Sequence, residues 1–106
     1  MEISRYDWKL FREKLPNWQE SYMARLNQRY IEILTGDGKP SDKFWSLEKR
    51  IRQDKRSSGV IIQMRKQDLT INLISLINDG VIALPDIEEF SDTVKETVRH
   101  FCNTDE

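Results

Sequence analysis

The chain has 106 residues, 33% of them charged, with a net charge of −1, one cysteine, four glycines and three prolines. That length holds one hydrophobic core rather than two, the patterned apolar residues exclude a disordered linker, and a lone cysteine excludes an internal disulfide. No apolar run approaches the roughly 20 residues that a membrane-spanning helix needs, and the opening MEISRYDW lacks the basic and apolar blocks of a signal peptide; the expectation is one domain, residues 1–106, in the cytoplasm and not in a membrane.

Ser4, with Asp7 three residues on, reads as a helix cap, because a carboxylate suits the positive end of the helix dipole. Trp8, Phe11 and Leu15 then share one face, while Tyr6 and Leu10 lie on another. Pro16 is expected to end this first helix, since the residue before proline avoids the α region. Asn17 and Glu20 form a second capping signature that opens the next helix. Trp18, Tyr22, Met23, Leu26, Tyr30, Ile33 and Leu34 give that helix a broad apolar face. It stops in the glycine- and proline-bearing run Thr35 to Pro40.

Ser41 is the expected cap of a third helix with a narrow stripe of Phe44, Leu47 and Ile51. Trp45 lies off that stripe. Ser57, Ser58 and Gly59 mark a break before the next helix, which is favoured, or a kink within one longer element. From Gly59 to Gly80 the pattern predicts one long central helix, at about 59–79. Val60, Met64 and Ile71 fall on one side of it, and Ile62, Leu69, Leu73 and Leu76 nearly opposite, so it should be buried between neighbours. Asp79-Gly80 is the expected stop. Pro85 suits a first helical position. Ile87, Phe90, Val94, Val98 and Phe101 share one face, with Ser91 a second capping point, so the stretch is either one helix or two. The residues from Asn103 onward should fray. The fold class expected is all-α, a small bundle of four to six helices around the central one.

Charge is segregated along the chain. Residues 43–66 carry eight basic and two acidic side chains, while residues 67–106 carry two basic and nine acidic. Such polarity lets a chain fold back on itself, pair with another copy, or offer a basic face to a polyanion.

Three stretches resemble a group of small uncharacterised bacterial proteins common in gut bacteria. They are Tyr6 to Glu20 (YDWKLFREKLPNWQE), Phe44 to Ile51 (FWSLEKRI), and Gly80-Val81-Ile82 through Phe90-Ser91-Asp92. The resemblance spans nearly the whole chain and implies an all-helical family with no established activity and no catalytic residue to carry over. Some members bear a multidrug-transporter label, which the lack of any spanning segment contradicts.

Catalytic patterns are sparse. His100 and Cys102 offer at most two metal ligands where zinc sites use three or four, and two residues apart on a helix they point to different sides. Gly36 to Ser41 lacks the preceding strand and the spacing of a phosphate loop. Glu88 and Glu89 are adjacent and diverge, whereas paired carboxylate catalysis needs convergence. No enzyme and no cofactor is therefore expected. The leading expectation is a non-catalytic helical interaction module that binds a partner protein or itself, with Tyr6, Leu10 and Trp45 as the protein-binding candidates. The alternative is a nucleic-acid-binding accessory protein using Lys49, Arg50, Arg52, Lys55, Arg56, Arg65 and Lys66. The size and charge polarity of the chain also suit a phage or mobile element.

Overall fold

The computed structural model describes residues 2–102, so the expected fraying from Asn103 lies outside the described residues. It is all-helical: α1 spans Arg5–Thr35, α2 Pro40–Asp54, α3 Leu69–Asn78 and α4 Asp92–Phe101, with short 3₁₀ turns at Lys66–Asp68 and Leu84–Ile87. Among the described residues there is no strand, and no helix is long and apolar enough to cross a membrane.

The chain does not break at Pro16. A single helix of 31 residues runs from Ser4, whose hydroxyl accepts the Asp7 N–H, to Thr35, and Pro16 sits inside it. Asn17 is therefore not a cap. The reason is visible in the burial pattern. Asp7, Phe11, Leu15 and Leu26 are buried, with Trp18 and Tyr22 partly buried between them, at helical spacing on one continuous stripe. Pro16 lies off that stripe in solvent, so the carbonyl that its missing N–H leaves unbonded faces water. An interior proline costs about 3 kcal/mol; a stripe buried on both sides of it offsets that cost. Ser41 is likewise inside α2 and not at its cap; Pro40 takes the first turn, and Lys39 stands at the cap position without a side-chain bond.

The predicted central helix at 59–79 is the largest departure. Only Leu69–Asn78 is α-helical. Residues 61–65 are non-helical, with Arg65 in extended conformation. Three consecutive β-branched residues, Val60-Ile61-Ile62, disfavour a helix there. Ile62 turns toward the core while Ile61 stays 66% exposed, the alternation of an extended chain. Asn72, buried on α3, donates to the Gln63 carbonyl at 3.0 Å and so satisfies an unpaired backbone acceptor of that segment. What appeared as two apolar faces of one helix is one face of α3 plus one side of an extended segment.

The core joins the first half of α1 to the chain after residue 60. Phe11 and Leu15 meet Leu69, Leu73, Leu76, Ile87, Phe90, Val94 and Val98. Leu69, Leu73 and Leu76 are fully buried, as the periodicity indicated; Phe101 is exposed, and Cys102 takes the buried position instead. Gly80, in the left-handed region at φ 77°, ends the turn after α3, and Ser91 caps α4 by accepting the Val94 N–H. Asp7 ties the starts of two helices together: its carboxylate accepts from the Ser91 N–H and hydroxyl at 2.9 and 2.7 Å and from the Ser4 hydroxyl at 3.0 Å.

The middle of α1 is lashed to two turns. Gln19 donates to the Ser58 carbonyl, Arg25 to those of Gly80 and Val81, and Ser58 binds the Asp79 carboxylate through both its N–H and its hydroxyl. Gly59 is needed here for close approach, because a Cβ on it would overlap the Tyr22 ring. Gly59→Ala should therefore cost about 1 to 3 kcal/mol, the usual range for overpacking. Thermal melts of Gly59→Ala, alone and combined with Tyr22→Ala, check this: the penalty of Gly59→Ala should largely vanish in the Tyr22→Ala background. An equal penalty in both backgrounds would show that the ring is not the obstacle.

Beyond these ties the second half of α1 and all of α2 form a two-helix arm. The molecule measures 52 × 29 × 17 Å with a radius of gyration of 16.5 Å, against about 13 Å for a compact chain of this length. No residue of α2 is buried.

Candidate interaction surface

The arm holds half of the large exposed apolar residues, Ile31, Leu34, Phe44, Trp45 and Ile51; Tyr6, Ile61, Met64, Ile71 and Phe101 are exposed elsewhere. On α2, Phe44 is 61% and Ile51 38% exposed. With Leu47, Glu48, Arg52 and Lys55 they line a shallow groove of about 320 Å³. A second depression of about 210 Å³ lies between the helices, lined in part by Met23, Leu26 and Tyr30 from α1. It shares Ile51 and Lys55 with the first, so the two form one surface. Leu34, 48% exposed, follows Met23, Asn27 and Tyr30 at helical spacing and extends the same side of the arm. Trp45, 63% exposed, meets Phe44 edge to face at 4.9 Å between ring centroids. The narrow apolar stripe of Phe44 and Ile51 is thus open to water. A sequence signal for this exists: Glu48 and Lys55 lie four residues after Phe44 and Ile51, on the same helix face, where a buried stripe would carry apolar residues.

The three protein-binding candidates are not together. Tyr6 is 59% exposed, but its hydroxyl donates to the Glu89 carbonyl at 2.8 Å. Leu10 is half-buried and packs against the core. Both lie at the start of α1, whereas Trp45 follows its far end; a helix of that length spans about 45 Å. Tyr6 and Leu10 have partners inside the chain, and only Trp45 belongs to the arm surface.

The basic candidates also divide. Lys49, Arg50, Arg52, Lys55 and Arg56 are exposed around α2 and the turn after it. Arg65 pairs with Asp68 at 2.7 Å, and Lys66 lies in a shallow depression beside Glu2 and Ile3; both sit on the core part of the chain. Among the described residues no ion pair joins the acidic segment to Lys49, Arg50, Arg52, Lys55 or Arg56. Arg52 grips Glu48 through two nitrogens, and Arg50 approaches Asp54, both within α2. Glu89 pairs with Lys14, and Glu88 and Asp92 approach Lys95. Trp45, Lys49 and Arg52 follow one another at helical spacing on one side of α2, and Arg56 is exposed in the turn after it.

One titratable group is visibly tuned by the arm. The Tyr30 hydroxyl donates to Asp54 across the two helices. Burial, then that carboxylate, push its pKa up to about 12. The sign follows directly. An unfolded chain ionises this tyrosine near pH 10 while the folded chain holds the proton, so the contribution is fully present below about pH 10 and is lost as pH rises toward about 12. In urea melts at stepped alkaline pH, Tyr30→Phe should flatten this part of the decline. An unchanged slope would remove Tyr30 as its source. Burial also raises the Cys102 thiol, which makes it a poor nucleophile. Among the described residues no three His, Cys, Asp or Glu side chains are grouped to hold a metal ion.

No family model, curated protein or solved structure matches this chain.

Proposed function

We propose that this chain is a non-catalytic helical interaction module, and that the arm formed by α2 and the second half of α1 is its binding surface. One observation carries the reading: Phe44, Trp45, Ile51 and Leu34 are exposed on the arm while a complete core exists without them. Exposed, contiguous apolar residues rimmed by charge mark contact sites, and tryptophan is a favoured anchor. The test is site-specific photo-crosslinking in cells, with the photoreactive residue at position 44 or, as control, at the exposed position 13 at the other end of α1. Defined adducts at 44 that disappear with Ile51→Glu support the arm. Equal adducts at both positions, unaffected by Ile51→Glu, would count against it.

A second reading has its own observation. One side of α2 combines exposed Trp45 with Lys49 and Arg52, and exposed Arg56 follows in the next turn, a ring for stacking near cations for phosphates. Titration with single- and double-stranded DNA and RNA at about 150 mM salt tests it. Submicromolar binding that is lost in a folded Arg56→Glu variant would place nucleic acid ahead of protein as the partner.

A further inference from the structure

We infer that the occupant of the arm is a second copy of the same chain, the two arms packing antiparallel about a two-fold axis near the middle of α2 to complete a four-helix bundle. This rests on the arm being the interaction surface and names what covers it.

Area is the first argument. Phe44 and Trp45, 61% and 63% exposed, leave about 250 Å² of aromatic surface in water, given about 150 to 250 Å² for each such side chain. Leu34 and Ile51, 48% and 38% exposed, raise the apolar total to roughly 400 Å², the size of the largest patch on many monomers and often a functional one, with Trp45 at its rim. A stable interface takes about 800 Å² from each partner, with a little over half of it apolar. The arm therefore matches one half of such an interface. A pair of helices has only one layer; a second pair is the smallest addition that turns its open side into a core.

Charge supplies the direction. Along the groove of α2 the order is Phe44, Glu48, Ile51, Arg52, Lys55. A parallel arrangement sets Arg52 and Lys55 against themselves. An antiparallel one, centred between Glu48 and Ile51, lays Phe44 of each copy on the aliphatic stem of Lys55 of the other. It also brings Glu48 within reach of the other copy's Arg52. The surface is self-complementary only in that sense, as a two-fold contact requires. The acidic end of the core is the other place where a second copy could dock. It offers mostly charge: Ile87 and Phe90 are 1% and 3% exposed, and its exposed rings, Tyr6 and Phe101, line neither groove of the arm.

Residues 39–56 carry seven basic and three acidic side chains, so two such arms repel at long range. Added salt screens that repulsion within about 10 Å or less and leaves the apolar contact intact. Salt should therefore strengthen this dimer, whereas it weakens any association that depends on opposite charges.

The experiment is analytical ultracentrifugation of the full chain over about 5 to 300 μM, in sodium chloride from about 50 to 500 mM. The expected result is a monomer–dimer equilibrium that tightens with salt and is weakened at least about tenfold by Phe44→Glu, a change at an exposed site that leaves the melting temperature in place. A Glu48→Cys variant in a Cys102→Ser background should oxidise to a linked dimer, because position 48 lies near the axis. Asp37→Cys in the same background, at the tip of the arm, should not. Efficient linkage at position 37, with or without linkage at 48, would mean parallel arms and overturn the arrangement. A dimer that loosens with salt, ignores Phe44→Glu and is lost with Glu88→Lys plus Glu89→Lys would overturn this inference and the arm reading together. A monomer at every concentration and salt would overturn the second copy as occupant; the adducts at position 44 then decide the broader reading independently.

Discussion

Asp7→Ala should lower the stability of this protein by about 2 to 4 kcal/mol, a large share of what a small domain has. Asp7 is 1% exposed and accepts from the Ser91 N–H, the Ser91 hydroxyl and the Ser4 hydroxyl. Ser4 caps α1 and Ser91 caps α4. The carboxylate therefore lies at the positive ends of two helix dipoles and holds residues 84 positions apart in one network. Alanine leaves the Ser91 N–H in a part-buried site without its acceptor, and an unmet donor costs more than a normal hydrogen bond is worth. Asp7→Asn keeps the size and one acceptor oxygen, so it should fall between the two. Urea denaturation of the three proteins checks the order. If Asp7→Ala matched wild type within error, the network would not be holding the two helix ends.

The second large effect is expected at Leu73. It is fully buried in the core shared by α1, α3 and α4, and Leu→Ala at such a site costs about 2 to 5 kcal/mol, from lost burial plus the cavity left behind. The informative comparison is with Phe44→Ala. Phenylalanine is the larger side chain, yet at 61% exposure its removal from the dilute monomer should change stability by no more than about 0.5 kcal/mol. A large loss at Leu73 and almost none at Phe44 would establish that the apolar residues of the arm do not maintain the monomer. Comparable losses at both would mean that the arm is part of the folding core, and would remove the physical basis for reading it as a docking surface.

The sequence by itself determined the helical class and part of the core. Leu69, Leu73 and Leu76 repeat at spacing that only a helix places on one face, and Ser4, Ser91 and Gly80 carry local chemistry that works in any context: a hydroxyl for an orphan N–H, a missing Cβ for a left-handed turn. Tertiary structure decided everything that depends on what lies opposite. Pro16 stays inside α1 because the stripe from Phe11 to Leu26 is buried on both sides of it, which outweighs a local preference to stop. The 59–79 pattern splits because the core accepts Ile62 from an extended segment and Leu69 from a helix, and alternation over a few residues does not distinguish the two. Phe44, Leu47 and Ile51 make a narrow apolar stripe in sequence, and they form one on α2. Whether anything covers that stripe depends on where the neighbouring helices end, and α1 and α2 extend beyond the reach of α3 and α4. Periodicity fixes which residues share a face; only the packing of distant elements fixes whether that face is closed within the chain or left for another molecule.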